Sequence, residues 1–167
     1  MDFEPAQIDM INQAYHQYGK TMFAAATMER SLVNAVVQHR HAAAQENGQQ
    51  LAGDLWEKAA DETMKKMIER LAPHLDKVPG LTDRLNAARD RRNDLAHTFC
   101  FDRAPDLAAP APATRLIVEL AADEETFLGL FAEVQEITRG LMEKAGIDTA
   151  AADAMHVLVV EAAKNAQ

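Results

Sequence analysis

The chain has 167 residues, of which 48% are hydrophobic and 26% are charged, and these values are ordinary for one globular domain with a hydrophobic core. The formal net charge of −9 argues against a general nucleic-acid coat protein, because such proteins cover phosphates with many cations. The single cysteine, Cys100, excludes an internal disulfide framework and a zinc site built from cysteines. There is no signal-peptide pattern and no apolar run of the roughly 18 residues that a membrane span needs. We therefore expect one cytoplasmic domain over residues 1–167.

The first half of the chain predicts three helices. The first runs from Pro5 or Ala6 to about Ala44, with a seam that rises in steps of three and four: Ile8, Ile11, Tyr15, Tyr18, Met22, Ala25, Leu32 and Val36, with Glu29 in the gap. The second runs from about Leu51 to Ala72 and ends before Pro73. The third runs from Leu81 to about Phe99, with the stripe Leu81, Leu85, Ala88, Arg92, Leu95 and Phe99.

The second half predicts a loop, an extended segment and two further helices. Residues 103–114 are rich in proline and alanine and predict the loop, and 115–120 predicts a short extended segment lying on the bundle. Acidic residues at 123–125 suit the start of a fourth helix that ends near Gly146, and a short fifth helix is predicted over 149–164. Four apolar stripes of similar length predict an all-α fold, a four-helix bundle with a short additional C-terminal helix.

The segment Arg92-Asn93-Asp94-Leu95-Ala96-His97 carries the side chains best suited to chemistry. Arg92 occupies a position that the periodicity assigns to an apolar residue, and an inward-facing guanidinium is costly unless it is paired or lines a cleft. Asn93 and His97 are four residues apart and share a helix face. Arginine can hold a phosphate, and histidine can exchange a proton near neutral pH. Two copies about a two-fold axis would bring two arginines and two histidines into one cleft.

This segment resembles the signature of the HEPN superfamily, in which an arginine, usually followed by a polar residue, precedes a histidine by four to six intervening residues. The long first helix and the motif at the end of the third are also similar. The resemblance implies a helical bundle of HEPN type and a homodimeric, metal-independent endoribonuclease of a toxin–antitoxin or phage-defence system, with RNA as substrate and an antitoxin protein as a possible partner. It assigns catalytic roles to three residues: His97 as general acid/base, Arg92 on the scissile phosphate, and Asn93 positioning Arg92 or the RNA. We expect no cofactor, no metal and no membrane partner.

Two other interpretations remain open. In the first, the helical dimer is a non-catalytic binding or regulatory module that uses the same groove. In the second, Arg92 is a packing residue that pairs with a buried carboxylate such as Glu29, and His97 caps the end of its helix.

Other features of the sequence are weaker signals. The window from Arg84 to Arg103 holds five arginines and three aspartates and is therefore locally cationic, although a solvated helix face gives the same count. His39-Arg40-His41 resembles a metal-binding pair, but we expect it to be solvated. Cys100 is expected to be a small buried hydrophobic residue.

Overall fold

The computed structural model describes residues 4–49 and 53–149, and every regular element in these ranges is helical. In chain order the elements are α1 (Pro5–Glu46), α2 (Leu55–Ala60), α3 (Met64–Leu75), α4 (Leu81–His97), α5 (Phe99–Asp102), a 3₁₀ turn (Ala104–Ala108) and α6 (Pro110–Lys144). The all-α prediction is confirmed, and the four long helices α1, α3, α4 and α6 form a bundle. The predicted fifth helix over 149–164 lies almost wholly outside the described residues.

The two longest helices, α1 and α6, run in parallel, and α4 runs antiparallel to both. The Gln7 side chain donates to the carbonyl of Ala108, just before α6, and the Thr21 hydroxyl donates to the carbonyl of Leu120 in α6. The two helices therefore run in the same direction. The apolar faces of all four long helices meet in one core, whose largest fully buried side chains include Met28, Leu32, Met67, Leu71, Leu85, Leu116 and Phe127. The seams that the sequence predicted therefore bury most of their members. In the first half of the first seam, Ile8 and Tyr15 are exposed, and Ile11, Tyr18 and Met22 are only partly buried.

The predicted second helix is two helices in the structure. Residues 61–63 separate α2 from α3, and the hydroxyl of Thr63 accepts a hydrogen bond from the backbone N–H of Lys66, which caps the start of α3. Pro73 does not end α3, which continues to Leu75. Proline at this point removes one N–H donor near the end of the helix, where the last turn can be completed without it.

The extended segment predicted over 115–120 is wrong, because these residues belong to α6. The helix begins at Pro110, in the part that was predicted as a loop, and proline is tolerated in a first turn since the N–H it lacks has no partner there. The spacing of the buried residues Ala113, Leu116 and Leu120 is helical and lays this stretch along α1. The acidic residues 123–125 therefore lie in the middle of α6 and do not start a helix. None of the described helices has the length and apolar character to cross a membrane.

Candidate functional site

The helix that carries the motif, α4, begins at a glycine and ends at the motif histidine. Gly80 precedes it with a φ of 69°, a left-handed conformation that favours glycine. Leu85, Ala88 and Leu95 are buried on one side, as predicted. His97 is the last residue of the helix and is exposed to solvent, and Thr98 follows as the C-cap.

Arg92 lies where α4 meets α1 and is half-buried. Its Nη2 donates to Glu29 Oε2 of α1 at 2.7 Å, and its Nη1 donates to Asn93 Oδ1 at 3.2 Å. The predicted pairing of Arg92 with Glu29 is therefore present. Glu29 is not buried, however: about 30% of each side chain is accessible, 31% for Arg92 and 29% for Glu29. The guanidinium is therefore partly accessible to solvent where the two helices meet.

Arg92 and His97 do not share a face of α4. His97 lies five positions after Arg92, which corresponds to about 140° around the helix axis and about 7.5 Å along it. Asn93 and His97 both point outward and are exposed. The His97 side chain makes no hydrogen bond to a described residue, so the cap that this interpretation expected is not found there. Within one copy of the chain, the arginine and the histidine face different directions.

The last turn of α4 is fixed to α1 by a tyrosine that sequence reasoning did not single out. The Tyr18 hydroxyl donates to the carbonyl oxygen of Leu95 at 2.9 Å, and its ring stacks on Phe99 with centroids 4.7 Å apart and planes 11° apart. The available signal was the position of Tyr18 on the α1 seam, since a tyrosine buried on such a seam needs a partner for its hydroxyl. This contact sets the position of the helix end that carries His97.

The other arginines of this region are held by carboxylates, many of them from α6. Arg91 binds Asp123 and Glu119, Arg103 binds Glu119 and Asp106, and Arg84 binds Glu133, while Arg89 binds the neighbouring Asp90. Hydrogen bonds from Arg103 lower the pKa of Glu119, and the same contact together with Asp106 raises the pKa of Arg103. The cationic segment that the sequence indicated is therefore largely neutralised by residues distant in the chain.

Arg92 differs from these arginines in how many of its hydrogen bonds go to a carboxylate. It makes one hydrogen bond to a carboxylate, whereas each of the other four makes two or three. A guanidinium has five N–H donors. Arg92 thus retains donors that an incoming anion can use.

A pair of histidines joins α1 to α3 at the opposite end of the bundle. His39 Nδ1 and His74 Nε2 are 3.0 Å apart, a hydrogen bond in which one ring donates and the other accepts. Burial is the main cause that lowers the pKa of both rings, and nearby Arg70 and Arg40 lower that of His39 further. The expectation that His39 is solvated is therefore wrong. No cluster of three or more metal-ligating side chains occurs in the part of the chain that the structure describes.

A groove of about 460 Å³ lies between α4 and α6, on the other side of α4 from Asn93. Ala88, Phe127 and Leu130 contribute to its lining, and Arg84 and Arg91 lie at its edges. Both arginines are bound to carboxylates of α6, so the groove presents no unpaired cation among the described residues that line it.

Comparison of the chain with known protein families, with curated proteins and with solved structures finds no significant match. The HEPN resemblance stays a prediction from the motif.

Proposed function

We propose that this protein is a metal-independent endoribonuclease of toxin or phage-defence type, acting as a homodimer on RNA. One observation carries the proposal: a solvent-accessible arginine with N–H donors to spare lies on the same helix as an exposed histidine. The Arg92 guanidinium can donate hydrogen bonds to a phosphate, and the His97 imidazole can exchange protons with RNA. Asn93 contacts the Arg92 guanidinium and would help to orient it.

The reaction needs the ribose 2′-hydroxyl of the RNA itself. A base removes the proton from the 2′-oxygen, which attacks the adjacent phosphorus, and the bond from phosphorus to the 5′-oxygen breaks. The leaving 5′-oxygen takes up a proton. The products are a 2′,3′-cyclic phosphate and a 5′-hydroxyl end, and DNA is not cut because it lacks the nucleophile. His97 would transfer the protons, and Arg92 would stabilise the charge that develops on the phosphate.

The ion pair with Glu29 is compatible with this role. It uses one N–H of Arg92, and the contact with Asn93 uses another. Because the pair is accessible to solvent, a phosphate can approach the remaining donors without a buried charge being left unpaired. Glu29 would also hold the guanidinium in place before RNA binds.

A non-catalytic binding module is the second candidate, and two observations favour it. Glu29 offsets the charge of Arg92, and no described residue orients His97 by a hydrogen bond. General bases in enzymes are commonly held by a third group, so an unsupported histidine fits a contact surface as well as a proton carrier. In this case the same surface around Arg92 and His97 would bind a partner without cleaving it.

The test is RNA cleavage by the purified protein in the presence of EDTA. We expect products with 5′-hydroxyl ends, and we expect cleavage to be lost in His97→Ala and Arg92→Ala. Matched controls are His41→Ala on α1 and Arg115→Ala on α6, which lie outside the proposed site and should retain activity. If the protein does not cut RNA, or if His97→Ala cuts as well as the unchanged protein, the ribonuclease proposal is wrong. Lack of cleavage combined with loss of partner binding in the same variants would support the binding module.

A further inference from the structure

The outward face of the first half of α1 carries exposed apolar side chains, and none of the described residues covers them. Ile8, Tyr15 and Phe23 are exposed large hydrophobic residues, and Phe23 is 67% exposed. With Asn12, Gly19 and Ala26 they form one stripe in steps of three and four along the helix, which we call the α1 stripe. No charged residue belongs to it between Ile8 and Ala26.

The same face is covered in the second half of α1. Val33 and Val37 continue the stripe and are only 5% and 2% exposed. At the border, the Arg30 guanidinium lies 4.2 Å from the ring centroid of Trp56 in α2. The segment of α2 and α3 therefore covers the second half of the outward face of α1 and leaves the first half exposed.

The open half of α1 adjoins the outward face of α4. On α1, Thr21 bonds to α6, and Gly19 and Phe23 are each two residues away, about 200° around the axis. On α4, Arg91 bonds to Asp123 of α6. Asn93 is two residues further along, so it also lies about 200° around the helix axis from the side that faces α6. Both faces thus point away from α6. The bond from Tyr18 to Leu95 places Gly19 at the level of the last turn of α4.

We propose that the α1 stripe binds a second copy of this chain, antiparallel, with the two-fold axis passing next to Gly19. Between Asn12 and Ala26 the stripe is symmetric about this residue: Tyr15 and Phe23 lie four residues to either side, and Asn12 and Ala26 lie seven residues to either side. An isologous contact therefore sets Tyr15 of one copy against Phe23 of the other, and a glycine on the axis permits close approach of the helices.

Charge favours a second copy at this face over other parts of the surface. Each chain has a net charge of −9, so two copies repel each other wherever carboxylates meet. Along the α1 stripe, contact between two copies brings no charged side chains of the stripe together. It extends about 27 Å, and with α4 beside it the face is about 20 Å wide. That outline covers about 540 Å² in projection, against ~800 Å² of accessible surface per partner in specific interfaces. About half of the outline is the outward face of α4, where Arg89 and Asp90 are already paired with each other.

The consequence of this arrangement for catalysis rests on the proposed function, whereas the interface itself does not. With the axis at the level of Leu95 to His97, the ends of the two α4 helices lie side by side. His97 of one copy then lies within about one helical turn of the level of the partner's Asn93 and Arg92. Each site would combine Arg92 of one copy with His97 of the other, and this fits the different directions in which the two side chains point on one helix.

The first experiment measures mass in solution and a covalent cross-link, and does not depend on RNA cleavage. We expect the unchanged protein to be a dimer by light scattering, and Phe23→Glu to be a folded monomer. Val118→Glu, which changes an exposed apolar residue of α6, should stay dimeric. In a Cys100→Ser background, Gly19→Cys should form a disulfide-linked dimer on mild oxidation, because a residue on a two-fold axis faces its own copy. A monomeric unchanged protein, or a Phe23→Glu dimer, overturns the proposed interface, and so does a dimer that Gly19→Cys fails to link.

The second experiment tests the shared site. Equal amounts of Arg92→Ala and His97→Ala are mixed and allowed to exchange subunits. After exchange, half of the dimers contain one subunit of each variant. Each of these heterodimers has one intact site out of two, so about a quarter of the activity of the unchanged protein should return. If the unchanged protein cleaves RNA and the mixture does not, the shared site is wrong while the ribonuclease proposal stands. If nothing cleaves RNA but the cross-link forms, the proposed function fails and the interface stands.

Discussion

Removing the Tyr18 hydroxyl should weaken the attachment of the motif helix to α1. In Tyr18→Phe the ring can still stack on Phe99, but the 2.9 Å hydrogen bond to the carbonyl of Leu95 is lost. A hydrogen bond of this kind contributes about 1 kcal/mol to stability, with a range of about 0.5–1.5 kcal/mol. The carbonyl lies near the end of α4, where water can partly replace the lost donor, and the lower half of this range is therefore expected.

The measurement is urea unfolding followed by circular dichroism. If the same variants are unfolded by heat, a loss of about 1 kcal/mol corresponds to a shift of about 2–4 °C in Tm for a domain of this size. The denaturation midpoint should fall without a change in slope, since the surface exposed on unfolding is the same. Tyr15→Phe is the matched control, because the Tyr15 side chain is 51% exposed and makes no hydrogen bond to a described residue. Equal midpoints for the two variants would refute the view that this bond holds the end of α4.

Two further predictions concern the histidine pair and the glycines. Because the pKa of both His39 and His74 is lowered in the folded protein, the unfolded chain binds more protons, so the free energy of unfolding should fall as the pH drops below the ordinary histidine value of 6.5. Urea midpoints at about pH 7.5 and about pH 5.5 measure this loss of stability. The difference between the two midpoints should shrink when His39 and His74 are both changed to Gln, and an unchanged difference would contradict the prediction. Gly80→Ala should cost about 1–2 kcal/mol because its φ is 69°, whereas Gly129→Ala, inside α6 with no atom within 4 Å of an added Cβ, should stabilise by about 1 kcal/mol. Thermal unfolding of both variants compares the two, and shifts of the same sign would be contrary to this account.

The core of the bundle was predictable because its helices carry regular apolar seams. Along α4, the buried residues Leu81, Leu85, Ala88 and Leu95 lie where the periodicity places them, and Arg92 interrupts the series at the predicted position. Its pairing with Glu29 was also predictable, because a guanidinium on an apolar seam requires a nearby carboxylate and Glu29 lies on the facing seam.

The start of α6 was not predicted, because local signals there compete with tertiary packing. Three prolines between 105 and 112 and the residues Ile117 and Val118 favour a loop and a strand in isolation. The series Ala113, Leu116 and Leu120 carries the helical spacing, and burial against α1 decides in its favour. The division between α2 and α3 was missed for a related reason, since the Thr63 cap is a short signal inside a longer seam.

The partners of the other arginines could not be read from neighbouring positions. Glu119 lies 28 residues from Arg91 and 16 from Arg103, and only the fold brings the three together. The His39–His74 contact likewise joins residues 35 positions apart. Counting charges within a sequence window therefore overstated the positive character of the motif region.

Ionic strength should act on this protein in two separate ways. The contacts of Glu119 with Arg91 and Arg103 tie α4, the 3₁₀ turn region and α6 together through partly accessible charges, with side-chain accessibilities between 28% and 40%. Added electrolyte screens such contacts and loosens the region around the end of α4. It also weakens the attraction of any phosphate backbone to Arg92. A salt titration of RNA binding would thus mix the two effects, and unfolding measured over the same electrolyte series would separate them.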